Sequence, residues 1–160
     1  MSILNKIKKK FKSRYIYMFI LLFIHCSDIE INESELESCK NLIHSSGQTS
    51  LNGEIYTGSC LVFNSEGIMS SLLSYKNGVP HGIHRGYYLD GSIEYEGFRK
   101  NKEIHGKYVK YYPGGEIEMT GQFRRGIYNG KWKYYNLDGE IFMEKTYIRG
   151  NVIDSIINYE

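Results

Sequence analysis

Polar and apolar residues alternate through most of this chain in short runs that end at glycines. In the run 116–123, Ile117, Met119 and Phe123 are predicted to face one way and the polar residues the other. This period of two is typical of a strand with one buried face. A tyrosine-rich run and a Pro-Gly-Gly turn precede it, so the pattern predicts a β-hairpin over 106–123.

The hairpin pattern repeats every 24 residues from about residue 52, which is the signature of a repeat architecture. The recurring positions are a first glycine series at Gly58, Gly82, Gly106 and Gly130, a second at Gly67, Gly91, Gly115 and Gly139, and an aromatic series at Phe63, Tyr87, Tyr111 and Tyr135. One hairpin buries too little apolar surface to be stable alone. The sequence therefore predicts an all-β fold, an elongated single-layer antiparallel sheet of stacked β-hairpins over 52–160 with a C-terminal cap.

We interpret both glycine series as turn positions of the repeat. Gly91 and Gly139 each follow a Leu-Asp pair, and we expect the second series to adopt the positive φ that such turns require. In one unit the closing aromatic residue, Phe98, comes one place earlier than in the other units. A β-bulge is expected there.

The aromatic positions supply the candidate binding residues. The candidate binding-face aromatics are Tyr87, Tyr108, Tyr111, Trp132 and Tyr135. Tyrosine and tryptophan are enriched at the energetic centres of protein interfaces, although most such residues in a sheet belong to its core. Trp132 and Tyr135 are three residues apart, so either they face opposite ways or a bulge realigns them.

Four glutamates, Glu94, Glu96, Glu116 and Glu118, are predicted to cluster on one face beside lysines of neighbouring strands. Paired carboxylates could perform acid–base catalysis, but a solvated, charge-paired face is the interpretation that we favour. The sequence holds no nucleotide-binding, nucleophile or zinc-protease motif, and no Cys/His cluster indicates a metal site. We therefore expect neither catalysis nor a cofactor.

The first residues are typical of an export signal. A basic segment precedes an apolar run of ten residues, 15–24, which is short for a membrane span. We interpret 1–25 as a signal peptide, with an uncleaved anchor as the alternative. Cys26 closes the run after His25, and this arrangement resembles the lipobox of bacterial lipoproteins, although His25 replaces the small residue usual there. The acidic residues that follow resemble the surface-export signal of Bacteroidota lipoproteins.

The lipoprotein resemblance implies acylation of Cys26 and a location in the bacterial cell envelope, at the outer membrane or cell surface. A plain signal peptide with an incidental cysteine is the alternative. Residues 26–51 form an acidic tether and cap, and their apolar spacing predicts a short helix near 34–44. In an oxidising compartment, Cys39 and Cys60 are predicted to form a disulfide; two separate buried thiols are the alternative.

The charge distribution argues against a nucleic-acid partner. The chain has 160 residues and a formal net charge of +2, but six of its bases lie in the first 14 residues. From residue 26 onward, 14 bases face 18 acids, a net charge of −4, which is unlike a basic nucleic-acid binder. Seventeen glycines, fifteen tyrosines and two prolines also exclude a helical bundle and a proline-rich disordered chain.

The segment Gly-Lys-Trp-Lys-Tyr-Tyr-Asn-Leu-Asp-Gly at 130–139 resembles a bacterial MORN-type repeat, as does 105–115. The segment Ile55-Tyr56-Thr57-Gly58 is similar to the start of the YwqK family, which is often labelled as an antitoxin. The resemblance covers about 52–150 and implies a scaffold used for binding. We therefore expect a membrane-anchored envelope scaffold for an unknown protein partner. The alternatives are an antitoxin or immunity-like protein that sequesters a toxin, and an envelope protein that binds glycan or lipid.

Overall fold

The computed structural model describes residues 36–158. The signal peptide expected over 1–25, the lipidation of Cys26 and the beginning of the expected tether lie outside the described residues. Between residues 36 and 158, no helix has the length and hydropathy needed to span a membrane.

Most of the described chain forms one ten-stranded sheet. Its strands are β1 (Glu37–Ser38), β5 (Gly58–Phe63), β6 (Met69–Lys76), β7 (Val79–Tyr87), β8 (Ile93–Lys100), β9 (Glu103–Tyr111), β10 (Ile117–Arg124), β11 (Ile127–Tyr135), β12 (Ile141–Ile148) and β13 (Asn151–Ile157). From β5 to β13 each strand pairs antiparallel with the next in the chain, and β1 pairs with β5 in parallel. The prediction of stacked consecutive hairpins is confirmed. We call the pairs β5–β6, β7–β8, β9–β10 and β11–β12 units one to four.

Two kinds of turn alternate along this sheet. Within each unit a longer turn ends at Gly67, Gly91, Gly115 or Gly139, whose φ values of 80°, 84°, 93° and 81° are positive. Each of these glycines donates its N–H to the carbonyl three residues earlier, at 3.0–3.1 Å in units one and two. Between units, two-residue turns have positive φ at both residues, the geometry that fits the twist of a hairpin. These turns are Asn77–Gly78, Asn101–Lys102, Arg125–Gly126 and Arg149–Gly150.

The first glycine series does not lie in turns. Gly58 begins β5, whereas Gly82, Gly106 and Gly130 lie inside β7, β9 and β11. The register of each inter-unit hairpin shifts beside the last three glycines. Their positive φ angles, 111°, 81° and 70°, accommodate the extra residues of a bulge. The interpretation of this series as turn residues is therefore corrected: Gly58 starts a strand, and the other three glycines mark bulges within strands.

A small second sheet caps the first unit. Its strands are β2 (Ile43–Ser45), β3 (Gln48–Leu51) and β4 (Glu54–Ile55), in that order. A backbone hydrogen bond of 2.8 Å from Thr49 to Gly78 joins it to the first inter-unit turn. Leu42, Cys60 and Tyr75 form the buried core between cap and sheet.

The helix expected near 34–44 is absent from the described part of that segment. Strand β1, a 3-10 turn at Cys39–Asn41 and β2 occupy it instead, because pairing with β5 holds the chain extended. The structure contains the Cys39–Cys60 disulfide, with the two Cα atoms 5.1 Å apart. It closes a loop with a sequence separation of 21 residues, which contributes about 3 kcal/mol by restricting the unfolded chain.

Candidate interaction surfaces

The sheet has two chemically different faces. Directly opposed residues on neighbouring strands share a face, so the strand register assigns each side chain. We call the side that carries Tyr108 and Trp132 the aromatic face, and the side that carries Tyr87, Tyr111 and Tyr135 the opposite face. The five candidate binding aromatics are thus divided between the two sides rather than brought together.

Trp132 is the centre of the aromatic face in units three and four. Its ring centroid lies 4.3 Å from that of Tyr128, 5.0 Å from Phe123 and 6.0 Å from Tyr108. Trp132 is 0% exposed, so this side chain is part of the core and is not available to a partner. Gly121 makes the packing possible, because a Cβ at that position would overlap the indole ring.

Unit two differs at the equivalent positions of the aromatic face. The register places Arg99 opposite Gly82, as it places Phe123 opposite Gly106 and Tyr147 opposite Gly130. The β-bulge expected beside Phe98 is present, because the β8–β9 register shifts between Gly97 and Arg99, on either side of Phe98. Arg99 occupies the position of the closing aromatic residue, and Phe98 lies on the opposite face.

Arg99 and His84 form a polar pair in unit two. Arg99 donates from Nε to His84 Nδ1 at 3.3 Å, and Tyr95 Oη lies 3.3 Å from His84 Nε2. Burial, together with a smaller contribution from the neighbouring Arg99 guanidinium, lowers the pKa of His84 to about 4. Burial likewise raises the pKa of Tyr108 to about 12. Both side chains are therefore neutral near pH 7.

The opposite face carries a shallow apolar depression of about 240 Å³ in units two and three. Its lining comprises Ile83, Glu96, Gly97, Phe98, Lys107, Val109 and Tyr111. Phe98 is 39% exposed, whereas Tyr87 on the same face is only 8% exposed. Of the five candidate aromatics, Tyr111 alone lines this surface. Sequence reasoning missed Phe98 and Val109. The 24-residue period contained a signal for Val109, because this apolar residue stands where the units before and after have Arg85 and Lys133.

Tyr135 lies on the opposite face further along the sheet, where its hydroxyl is 3.3 Å from the Thr120 hydroxyl. Trp132 and Tyr135 therefore face opposite ways, as one of the two alternatives predicted.

Tyrosine hydroxyl groups at the longer turns bond to the following unit: Tyr88 donates to the Tyr111 carbonyl at 2.6 Å and Tyr112 to the Tyr135 carbonyl at 2.9 Å. Each bond links one unit to the next.

The expected cluster of four glutamates on one face is wrong. Glu96 pairs with Arg85 on the opposite face. Glu118 lies 2.8 Å from Lys110, which belongs to the aromatic face because it opposes Tyr95 and Met119. The register shift between Ile117 and Met119 breaks the alternation of side chains, and this moves Glu118 to that side.

Glu144 is likewise paired with cations, since its carboxylate lies 3.7 Å from Lys133 and 3.8 Å from Lys131. Within residues 36–158, no group of three or more histidine, cysteine or acidic side chains is arranged to hold a metal ion.

A sheet of stacked hairpins in which longer turns alternate with two-residue turns defines a class of β-repeat scaffold. The sequence model of the family described as MORN repeat variant matches residues 80–101, 104–124 and 128–149. These three matches correspond to units two, three and four, and unit one lies outside them. Units two, three and four are therefore similar to MORN-variant repeats, and this similarity suggests a repeat scaffold for binding.

No curated protein sequence matches the chain. Among solved structures, a mutant of S. aureus TarM crystallised with fondaparinux, alpha-GlcNAc-glycerol and UDP aligns at 11% sequence identity, with a TM-score of 0.29. The alignment covers 93% of this chain and 23% of that chain.

Proposed function

We propose that this chain is a lipid-anchored scaffold of the bacterial cell envelope, whose repeat sheet binds a partner protein and catalyses no reaction. The observation that carries the binding role is the depression on the opposite face. There Phe98 is 39% exposed beside Val109 and Tyr111, and an apolar centre with a polar margin is typical of protein interfaces.

The placement of the charged groups supports binding over catalysis. Glu96 and Glu118 lie on different faces, and each is paired with a cation. A hydrolase that uses two carboxylates needs both beside the same bond. Lys107 and the Arg85–Glu96 pair instead border the apolar centre, where they would select a partner of complementary charge.

The binding role is tested by substituting the exposed aromatic residue of the depression. The full chain, Phe98→Ala and Phe142→Ala would each be used to capture proteins from solubilised envelope. Phe142 is 40% exposed and lies outside the depression, so it is a matched control. We expect one protein to be retained by the full chain and by Phe142→Ala, and to be lost with Phe98→Ala.

Equal retention by all three proteins would contradict the proposed surface. Direct crosslinking from position 98 would then identify the retained partner. A toxin identified as the crosslinked partner would favour the antitoxin alternative. Retention of peptidoglycan or vesicles without any protein would replace the proposal with the glycan- or lipid-binding alternative.

The anchor is tested separately from the binding surface. Cys26 closes an apolar run behind a basic segment, so acylation is expected there. Metabolic labelling with a clickable fatty acid should mark the wild type and leave Cys26→Ala unlabelled. Equal labelling of both proteins would reject the lipoprotein assignment and leave the repeat surface unaffected.

A further inference from the structure

The two rows of turns, at opposite ends of the strands, carry opposite charge. The two-residue turns with their flanking residues, 76–79, 100–103, 124–127 and 148–151, hold one acid, Glu103, and six bases: Lys76, Lys100, Lys102, Arg124, Arg125 and Arg149. The longer turns, 64–68, 88–92, 112–116 and 136–140, hold no base and five acids: Glu66, Asp90, Glu116, Asp138 and Glu140. The basic row is densest where units three and four meet.

Three arginines of the basic row line one depression of about 290 Å³. Arg124 ends β10, Arg125 belongs to the β10–β11 turn and Arg149 to the β12–β13 turn. The other lining residues are Ile127, Tyr128 and Asn129 at the start of β11. No carboxylate lines this depression, and among residues 36–158 none forms an ion pair with these three arginines.

The backbone of the depression is fixed by the stacking of the turns. Gly126 donates its N–H to the Ile104 carbonyl at 2.8 Å, and Gly150 donates to the Tyr128 carbonyl at 3.1 Å. The earlier turns make the same bonds, from Gly78 to Tyr56 at 2.7 Å and from Lys102 to Pro80 at 2.8 Å. These bonds hold Arg125 and Arg149 on neighbouring turns, so the depression does not depend on a mobile loop.

Arg125 and Arg149 are in a conformation that does not favour arginine. Their φ angles are 53° and 51°, and the equivalent positions in the earlier turns are Asn77 and Asn101, both at 52°. Asparagine is a preferred residue for this position of a two-residue hairpin turn, whereas arginine is strained there. Strained residues that persist in a fold are concentrated at functional sites.

Unpaired guanidinium groups around one depression form a receptor for an anion. Arginine binds the oxygens of phosphate through paired N–H donors, and three positive charges favour a doubly charged group over a single carboxylate. We infer that the depression formed by Arg124, Arg125 and Arg149 binds a phosphoryl group, presented either by a soluble phosphorylated ligand or by a phospholipid headgroup. The site is separate from the apolar depression of the opposite face.

The test variant replaces Arg125 and Arg149 with asparagine, the residue found at the equivalent positions of the earlier turns. The full chain in neutral detergent would be titrated with inorganic phosphate at constant ionic strength, and the arginine Nε–H resonances followed by NMR. We expect saturable shifts for the three arginines, and at least tenfold weaker binding in Arg125→Asn/Arg149→Asn. Because asparagine suits these positions, the variant should unfold at the same urea concentration as the wild type or higher.

Lys76→Asn is the matched control, because it removes one charge from the same row outside the depression. Phosphate affinity equal to that of the wild type is expected for it. Equal loss of affinity in Lys76→Asn would show a general effect of net charge and overturn the site. Shifts that rise linearly without saturation, or that chloride produces equally, would also overturn it.

The source of the phosphoryl group is distinguished by reconstituting the full chain in phosphatidylcholine vesicles with or without phosphatidic acid. Protection of the three arginines from phenylglyoxal by phosphatidic acid alone would indicate a lipid headgroup. Protection by added soluble phosphate in phosphatidylcholine vesicles would indicate a soluble ligand. A different result would reject the inference: phosphate binds neither the wild type nor the double variant, and the double variant no longer self-associates. The arginines would then bind the acidic longer turns of a second copy of the chain.

Discussion

Units two and four use the same backbone positions for different chemistry. In unit four, Trp132 and Tyr147 join an aromatic cluster whose central ring is 0% exposed. In unit two, the residues 48 positions earlier are His84 and Arg99, joined by a hydrogen bond of 3.3 Å. The repeat register is the same in both. The turns and bulges fix the backbone of every unit. The same positions can therefore hold either a buried aromatic cluster that stabilises the fold or a polar pair that responds to pH.

The largest expected effect comes from removing the centre of the aromatic cluster. Trp132→Ala should destabilise the protein by about 3–5 kcal/mol, because it leaves a large cavity. His84→Ala should cost only about 1 kcal/mol through lost hydrogen bonds. Urea unfolding of the full chain in neutral detergent measures both values. Similar losses for the two variants would show that the units do not differ in the way described.

The glycines that oppose the aromatic rings test how tightly each unit is packed. Gly121→Ala should cost about 1–3 kcal/mol, because the new methyl group overlaps the Trp132 ring and overpacking forces it to move. At Gly97, a Cβ would lie 3.1 Å from the Tyr108 ring, so a smaller shift of that ring should accommodate it. We expect Gly97→Ala to cost about half as much or less in the same unfolding measurement. The reverse order would contradict the described packing.

His84 should make unit two sensitive to pH. Its pKa is lowered to about 4 in the folded protein, while the unfolded chain takes up a proton near the ordinary value of about 6.5. Between these values the unfolded state binds more protons, so stability is complete above about 6.5 and falls as pH decreases towards 4. With allowance for solvent screening, about 1–2 kcal/mol should be lost.

The control for this effect is His84→Gln, which keeps a polar side chain that does not titrate. Carboxylates also titrate over this range, so the informative quantity is the difference between the two proteins at each pH. A difference that stays constant from pH 7 to pH 4.5 would show that His84 is not the source of the pH dependence.

The smallest expected effect lies between the two regions, at the Lys110–Glu118 pair of unit three. The side chains are each 28% exposed, so solvent weakens the interaction and Glu118→Gln should cost about 0.5 kcal/mol. Glu144→Gln, at the longer pairs with Lys131 and Lys133, should cost no more. Loss of more than about 1.5 kcal/mol at Glu118 would identify this carboxylate as something beyond a partly exposed ion pair.

The bulges changed which face several candidate side chains lie on, and the sequence pattern did not predict these changes. A regular strand alternates its side chains strictly, and on that rule Ile117, Met119 and Phe123 share a face. The register shift after Ile117 separates it from the other two, and the same shift moves Glu118 beside Lys110. The period of 24 did contain one overlooked signal, because positions 77, 101, 125 and 149 read Asn, Asn, Arg and Arg.

Local patterns in the sequence were enough to predict the all-β class, the 24-residue unit, the order of the hairpins and the positive φ of Gly91, Gly115 and Gly139. These features depend on local backbone preferences and period-two patterning, which neighbouring residues express without distant contacts. The burial of Trp132, the place of Arg99 at an aromatic position and the meeting of Arg125 and Arg149 at one depression were found in the fold. These features depend on the register of the strands and the stacking of the turns, and both are set by contacts between units that are distant in sequence.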